Sequence, residues 1–298
     1  MKKKGLFLVL LTALISGISI FVNTFGVKGI NPYMFTGLKN IIVAILLFSI
    51  ILLAKNFNEL KKLKKKEWYM LILVGLIGGS IPFLLFFKGL QLTTAASGSF
   101  VHKTMVVWVI IFSILFLKEK INYKYVIGAF FLLAGNFLLL KLTGLKIDQG
   151  MLLILIATII WSVEIIISKQ LLNNLSGNIV AFGRMFFGSI FITIFLFVTN
   201  NFNSIQKFST THLVWIIITS IFLLGYVITF YNGLKYVSTS TATAILSLGS
   251  VVTTICQLIF TNVSVGVLEI CGLVLIIVGV LAFIRIKDLI SVHTFSHA

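Results

Sequence analysis

The sequence predicts an all-α membrane protein with ten transmembrane helices arranged as two inverted five-helix repeats. Composition is the first observation. Hydrophobic residues make up 59% of the 298 residues, charged residues only 10%, and the mean hydropathy is +1.14, far from the values of soluble domains. The second observation is the length of the apolar runs, each close to the roughly 20 residues that a helix needs to cross a bilayer. The third is an internal duplication of the chain.

Ten apolar runs follow one another, separated by short polar connections. The first resembles the apolar part of a signal peptide, but it is too long and no cleavage motif follows, so we interpret it as a retained span. The predicted spans are residues 5–24, 32–54, 68–90, 94–117, 125–140, 150–171, 179–199, 213–234, 239–261 and 265–284. A polar link at 141–149 divides two predicted domains, 1–145 and 146–290, and residues 291–298 are expected to form a cytoplasmic tail.

The duplication is visible as residues that recur at a fixed spacing. At an offset of 144 positions, three glycines of the first half fall on three glycines of the second half: Gly89 on Gly233, Gly128 on Gly272 and Gly135 on Gly279. At an offset of 145, Gly5 falls on Gly150 and Lys39 falls on Arg184. Such coincidences in a chain otherwise rich in Leu, Ile and Phe indicate a repeat.

The number of spans and the distribution of lysine predict the topology. Five spans per half is an odd number, so the second half must enter the membrane upside down relative to the first. In many secondary transporters, inverted repeats place the substrate site near the bilayer midplane between the halves. Sixteen basic residues lie on the N-terminal side of the predicted spans and five on the other side. By the positive-inside rule, both termini are expected in the cytoplasm, in a multi-pass protein of the cytoplasmic membrane.

The net charge of +17 would suggest nucleic acid as a partner of a soluble protein. Here the lysines concentrate in the short connections, where they set topology and contact anionic lipid. Cys256 and Cys271 lie within apolar runs without CxxC spacing, so neither a disulfide framework nor a metal site is expected. No cofactor is expected either. The predicted partners are membrane lipids and a small solute, and the sequence leaves the oligomeric state open.

Charged side chains inside the predicted spans are candidates for function, because a charge in the bilayer is costly and tends to face a cavity or a partner. With about 1.5 Å of rise per residue, Glu164 in the sixth span and Arg184 in the seventh lie at nearly the same depth. We therefore predict that they pair. One hypothesis is a structural ion pair, or an arginine that reaches the headgroups. The other makes Glu164 a carboxylate that titrates protons or binds a substrate amine.

Five further side chains complete the predicted substrate and ion pathway: Lys39, His102, Lys103, Trp161 and Tyr231. The two lysines are candidates for substrate contact. The histidine could shuttle protons, although a lone histidine in an apolar helix is more often a packing residue. The two aromatic residues could form walls for an amphipathic solute. Because cations outnumber carboxylates inside the spans, the pattern favours a solute with a carboxylate or phosphate group.

At this point the chain resembles a known family, the EamA family of the drug/metabolite transporter superfamily. The runs GLQLTTAAS at 89–97 and GLKYVSTST at 233–241 are similar to a repeated motif of that family. The segment FLKEKI, with Glu119, is similar to its L.E segment. Arg184 matches the arginine of the second helix of a repeat, and Trp161 matches a tryptophan common in the first helix. The resemblance covers nearly the whole chain.

Several positions depart from the family pattern. Lys39 is a conservative replacement of arginine, Val106 and Ser250 stand where proline is usual in the fourth and ninth spans, and Val263 replaces the second acidic residue. The resemblance implies a permease for a small organic solute, often an exporter of amino acids, metabolites or drugs. Alternating access follows from the repeat architecture, and proton coupling is an open expectation.

Two other classes of function were weighed. A non-transporting scaffold or adaptor is disfavoured by the charges inside the spans and by the duplication, yet it remains an alternative. An intramembrane enzyme would need clustered catalytic groups such as paired aspartates or HExxH. The aspartates of the chain, Asp148 and Asp288, lie outside the predicted spans and no HExxH occurs. Transport is therefore the preferred interpretation.

Overall fold

The computed structural model describes residues 1–26, 30–54, 57–120, 122–140, 148–202, 209–261 and 266–284. Residues 141–147 of the predicted link, the predicted tail 291–298, and Val263 lie outside these ranges. The regular structure within them consists of helices α1 (Lys2–Gly26), α2 (Pro32–Leu53), α3 (Phe57–Lys61), α4 (Lys65–Gly79), α5 (Ile81–Leu92), α6 (Ala95–Lys103), α7 (Met105–Leu117), α8 (Tyr123–Leu139), α9 (Gln149–Leu171), α10 (Gly177–Val198), α11 (Thr210–Leu234), α12 (Thr239–Leu246), α13 (Leu248–Phe260) and α14 (Val267–Phe283).

The helices form ten spans, so the predicted all-α, ten-span fold is confirmed. Eight helical stretches are long and apolar enough to cross a bilayer, and the shorter apolar helices α8 and α14 occupy the fifth and tenth positions. The outer surface is apolar along its length. Phe7, Leu115 and Phe197 are 67%, 63% and 76% exposed, an arrangement that suits lipid rather than water.

The third span consists of two helices, α4 and α5, which are separated at Ser80. Pro82, the second residue of α5, has no N–H group and cannot donate to the carbonyl four residues earlier, that of Gly78. Ser80 takes a non-helical conformation, and its hydroxyl donates to the carbonyl of Leu76 at 2.8 Å. The predicted continuous span 68–90 is therefore interrupted near mid-membrane.

The fourth and ninth spans also break, at Thr104 and Ser247, although each was predicted as one helix. No proline is present at either break. The turns tighten instead: the N–H of Thr104 donates to Val101 O at 3.1 Å, and the N–H of Ser247 donates to Ala244 O at 3.1 Å. The Thr104 hydroxyl also donates to Val101 O at 2.6 Å, a backbone contact that weakens regular helix. The two breaks lie at nearly equivalent positions of the two halves.

The packing of the spans follows an inverted repeat. Helix α1 packs on α11, and its counterpart α9 packs on α5. In the same way α2 packs on α11 while α10 packs on α4, and α1 packs on α13 while α9 packs on α7. The two self-equivalent contacts are α2 with α10 and α8 with α14. These contacts of one half are thus matched by contacts of the other.

Two of the duplicated glycine pairs lie where α8 and α14 cross: Gly128 with Gly272, and Gly135 with Gly279. A methyl group on Gly135 would come within 2.7 Å of Gly272 O, and one on Gly272 would come within 2.7 Å of Gly135 O. Gly128 and Gly279 face each other in the same manner, at 2.9 Å. Close backbone approach through small residues is the usual packing of helices in bilayers. The glycines found by the sequence comparison therefore join the two halves.

We expect Gly135→Ala to lower the free energy of unfolding by about 1–3 kcal/mol, because the added methyl group forces α8 and α14 apart. Titration of the purified protein in detergent micelles with SDS measures this change. Gly225→Ala is the matched control, since its methyl group would meet only the end of the Ile15 side chain, at 3.3 Å. Equal stability of the two variants would contradict the tight crossing.

Candidate functional site

A cavity of about 310 Å³ lies between the two halves at the centre of the bundle. The first half contributes lining residues from α1, α2, α5, α6 and α7, and the second half contributes residues from α9, α10, α11 and α12. The breaks at Lys103–Thr104 and at Ser247 border it. Discontinuous helices beside a midplane cavity are the arrangement in which many transporters place their substrate site.

The break in the third span supplies a free backbone acceptor. Since Pro82 cannot donate to Gly78 O, that oxygen accepts from two side chains of the second half. Trp161 Nε1 donates to it at 3.0 Å, and Arg184 Nη2 donates to it at 3.1 Å. The next carbonyl, Gly79 O, accepts from Asn40 Nδ2 at 3.0 Å. Side chains thus satisfy backbone groups that a continuous helix would have paired.

Glu164 and Arg184 are joined through Tyr231. Tyr231 donates its hydroxyl to Glu164 Oε1 at 2.7 Å and accepts from Arg184 Nη1 at 3.0 Å. Ser168 also donates to Glu164 Oε1, at 2.5 Å. Arg184 Nη1 lies 3.9 Å from Glu164 Oε2, and the two side chains are 9% and 1% exposed. The predicted pairing of Glu164 and Arg184 is therefore present, with a tyrosine between them.

Gly78 allows this group to assemble. A methyl group at that position would lie 2.5 Å from Glu164 Cγ and 3.3 Å from Arg184 Nε. Any other residue would push the carboxylate and the guanidinium away from α4. Arg184 Nε itself is buried without a hydrogen-bond partner in the described part of the chain.

Lys39, the repeat counterpart of Arg184, has a different environment. Its Nζ donates to Asn23 Oδ1 at 3.1 Å and lies 4.8 Å from the centre of the Phe35 ring. Both contacts are with neutral groups. Asn23 in turn donates to Ser19 O at 2.7 Å, and Ser19 lines the cavity beside the lysine. The first half therefore holds a cation where the second half holds an ion pair.

His102 and Lys103 end helix α6 and line the cavity opposite Trp161. The His102 ring lies 5.3 Å from the Phe86 ring and 5.2 Å from the Trp161 ring, in both cases edge to face. Its Nδ1 is buried without a hydrogen-bond partner among the described residues. Lys103 follows it at the C-terminal end of the helix, where carbonyl groups favour a positive charge.

Six of the seven predicted site residues line the one cavity: Lys39, His102, Lys103, Trp161, Glu164 and Arg184. Tyr231, expected in the wall, lies behind it and holds Arg184 to Glu164 instead. Sequence reasoning missed Ser168 and the Gly78 carbonyl. Two signals could have revealed them: a proline inside a predicted span, and a serine four residues after Glu164, on the same helix face.

Hydrogen bonds within and between the halves join helix ends at the face of the bundle at which α1 begins, which we call the N-terminal face. Glu119, just after α7, accepts from Thr239 N at 2.9 Å, Thr239 Oγ1 at 2.8 Å and Ser240 Oγ at 2.9 Å, all at the start of α12. Glu59 accepts from Ser176 N at 2.6 Å. Lys169 Nζ donates to Leu234 O at 2.7 Å and to Val237 O at 2.7 Å, which ties α9 to the end of α11.

The opposite face has fewer such bonds in the described ranges. Thr93 Oγ1 donates to Asp148 Oδ2 at 2.7 Å, and Asn31 Nδ2 donates to Asn201 Oδ1 at 3.0 Å. Asp148 caps α9, and the Met151 N–H together with the Thr93 hydroxyl holds the pKa of this carboxyl below its usual range. The described residues include no group of three or more His, Cys, Asp or Glu side chains that could hold a metal ion.

Ten spans in inverted repeats surround a central cavity whose lining is mostly apolar, with Lys39, Lys103, Arg184 and Glu164 as its charged groups in the described ranges. The sequence profile of the EamA-like transporter family matches residues 3–141 and again residues 148–285. The chain belongs to this family, one copy of the family unit in each half. An uncharacterized transporter of Clostridium kluyveri is 26% identical over 93% of this chain and 92% of its own length. The uncharacterized transporter YoaV of Bacillus subtilis is 28% identical over 58% of this chain and 60% of its own length.

One solved crystal structure of a protein superposes with a TM-score of 0.75, covering 92% of this chain and 96% of the other. Its sequence is 17% identical, so the likeness concerns the fold alone. The superposition extends over both halves and supports the ten-span arrangement as a whole.

We expect Glu164→Gln to lower the free energy of unfolding by about 3–5 kcal/mol, because it leaves the buried Arg184 guanidinium without a carboxylate. Arg184→Met should lower the free energy of unfolding by a similar amount, because it leaves the buried Glu164 carboxylate without its cation. The double variant should lose less than the sum of the two, since no uncompensated charge remains. SDS titration in micelles measures all three. Ser220→Ala is the control, because Ser220 bonds to a carbonyl of its own helix; strict additivity would show that the two charges do not interact.

Proposed function

We propose that the protein is a secondary transporter that moves a small organic solute out of the cell by alternating access across the cytoplasmic membrane. The observation that carries the proposal is the central cavity, which both halves line, together with the hydrogen bonds that join the halves at the N-terminal face. A site between inverted repeats can be exposed to either side when one half rocks against the other.

The lining of the cavity supports a small amphipathic solute. Its volume of about 310 Å³ lies at the low end of ligand pockets. Phe83 and Phe86 pack against Trp161 with ring centres 5.1 Å and 5.6 Å apart, forming an aromatic wall. Lys39 and Lys103 bring charge to the same space. An apolar wall with a few polar groups suits a solute that has an apolar body and a charged end.

The distribution of basic residues supports a cytoplasmic location of both termini, and therefore of the N-terminal face of the bundle. Lys2, Lys61 and Lys235 lie at or next to the ends of helices on the N-terminal face. In the proposed orientation the hydrogen bonds of Glu119 and Glu59 lie on the cytoplasmic side, where they would hold the cavity closed. An exporter would load its solute after this closure opens.

Proton coupling is part of the proposal and is assigned to Glu164. This carboxylate lines the cavity and is held by Tyr231, Ser168 and Arg184. A conformational change that moves Arg184 away would leave this carboxylate without its positive partner, and a transported proton is the counter-charge that we assign to it. Release and binding of that proton could then follow the opening of the two faces.

The scaffold and enzyme alternatives have less support. Membership of a transporter family favours transport over both. A scaffold has no need of charged side chains around a central cavity, which are costly in a bilayer. Loss of solute movement on filling the cavity, without loss of folding, separates a transporter from a scaffold.

We expect Ser16→Trp to reduce solute counterflow in proteoliposomes to the level of protein-free vesicles, because the indole fills the cavity that Ser16 lines. Trp161 occupies the equivalent place in the second half, so this helix position accommodates an indole. The assay uses a pool of labelled amino acids and other small metabolites. Phe7→Trp, an exposed change on the same helix, should leave counterflow unchanged.

Two results would contradict parts of this proposal. Absence of any counterflow by the wild type would favour the scaffold alternative. Movement that is insensitive to an imposed pH gradient would reject proton coupling while leaving transport intact.

We expect Glu119→Ala to open the N-terminal face more often, because it removes the carboxylate that holds the start of α12. A hydrogen bond to a charged group contributes about 1.5–3 kcal/mol, so the open population should rise at least about tenfold. The variant Ser247→Cys, made in a background of Cys256→Ser and Cys271→Ser, measures this opening. Its thiol should react faster with a membrane-impermeant maleimide applied to the N-terminal face. Glu67→Ala is the control, since Glu67 caps only its own helix; equal labelling in both variants would reject the closure role.

A further inference from the structure

The cavity carries more positive charge than its own carboxylate can neutralise. Its charged lining residues in the described ranges are Lys39, Lys103, Arg184 and Glu164. Arg184 and Glu164 are joined through Tyr231 and together contribute no net charge. The ammonium groups of the two lysines remain. Charges of this kind in the membrane interior require a counter-charge, water or a cavity.

Neither lysine finds that counter-charge within the described part of the chain. Lys39 contacts the amide oxygen of Asn23 and the ring of Phe35, both neutral. For Lys103 the described residues provide neither a hydrogen bond nor an ion pair to its ammonium group. Arg184, the counterpart of Lys39 in the other half, has Glu164 beside it. The first half therefore leaves its cation available to a ligand.

A positively charged ligand would find no matching carboxylate. Glu164 is the carboxylate among the described lining residues. Its Oε1 already accepts from Tyr231 and Ser168, and its Oε2 faces Arg184 at 3.9 Å. A substrate ammonium group would have to displace Arg184 and would add to the positive charge already present. The electrostatics of the cavity therefore favour an anion over a cation.

We infer that the solute is a small organic carboxylate with an apolar body, held at its carboxylate by Lys39 and Lys103 and at its body by Phe83, Phe86 and Trp161. An amino group on the solute is not required. This inference rests on the proposed function, because it names the substrate class of the same cavity. The unpartnered Nδ1 of His102, beside Lys103 in the wall, offers one further hydrogen-bonding position.

Calorimetric titration of the purified protein in lipid nanodiscs tests the charge preference directly. The probes are phenylpropanoate, phenylpropanamide and phenylethylamine, which share an aromatic body and differ in charge, with inorganic phosphate as an anion without a body. We expect phenylpropanoate to bind at least about tenfold more tightly than each of the others, since a bond to a charged group is stronger than one between neutral groups. Tighter binding of the amide or the amine, or equal binding of all four, would overturn the inference. Tighter binding of phosphate would reject the apolar body.

Variants of the two lysines test whether they bind the carboxylate group of the solute. Lys39→Met and Lys103→Met remove the charge at similar side-chain length, and each should weaken phenylpropanoate binding about tenfold while changing phenylpropanamide binding little. Lys39→Arg should retain the preference for the carboxylate, because arginine keeps the charge. Lys88→Met is the matched control, since Lys88 is exposed at the end of α5 outside the cavity. Loss of the preference in Lys88→Met, or its persistence in both cavity variants, would reject the assignment.

Binding and transport can fail separately in these experiments. Selective binding of phenylpropanoate without its movement in proteoliposomes would support the anion site and contradict the transport proposal. Counterflow of cationic or neutral solutes with no binding of phenylpropanoate would support transport and overturn the substrate class. Size-exclusion profiles and thermal unfolding of each variant establish that the protein tested is folded.

Discussion

The structure depends on the cost of placing charged groups in the bilayer interior. Arg184 can lie there because three kinds of partner converge on it: the Gly78 carbonyl, the Tyr231 hydroxyl and the Glu164 carboxylate. These partners come from the third, eighth and sixth spans. The carbonyl is free because Pro82 interrupts its helix, and the carboxylate can approach because Gly78 has no side chain. The hydrogen bonds and the ion pair of the Arg184 guanidinium thus fix the relative positions of four spans around one wall of the cavity.

The two halves share a scaffold but not a site. At the crossing of α8 and α14, Gly128 and Gly135 of the first half lie against Gly279 and Gly272 of the second, so both copies are needed for the same close contact. In the site, the counterparts of Glu164 and Ser168 are Ser19 and Asn23, while Lys39 stands in the place of Arg184. Of these equivalent positions, only the one in the second half carries a carboxylate. As a result Arg184 is neutralised within the protein, whereas Lys39 faces the cavity. The fold is symmetric, but the distribution of charge in the site is not.

Three of the spans that line the cavity are interrupted helices. Backbone groups in a bilayer must be paired within the protein, so a break is tolerated where side chains or a tightened turn can satisfy it. In the third span, side chains of Arg184, Trp161 and Asn40 do so. In the fourth and ninth spans the turn tightens at Thr104 and Ser247. These breaks border the same space, and at the N-terminal face Glu119 holds the beginning of α12 against the end of α7.

The sequence by itself determined the all-helical, ten-span fold, the internal repeat and the family, because hydropathy and residue spacing report directly on burial in lipid. It also predicted that Glu164 and Arg184 meet, since their depths follow from the helical rise. Tertiary structure alone decided that Tyr231 lies between them and that Ser168 and Gly78 complete the group. It also decided that the fourth and ninth spans break without proline, against the predicted continuous helices. Depth along one helix can be counted from sequence, whereas rotation about the helix axis and contacts across helices depend on packing that no single segment encodes.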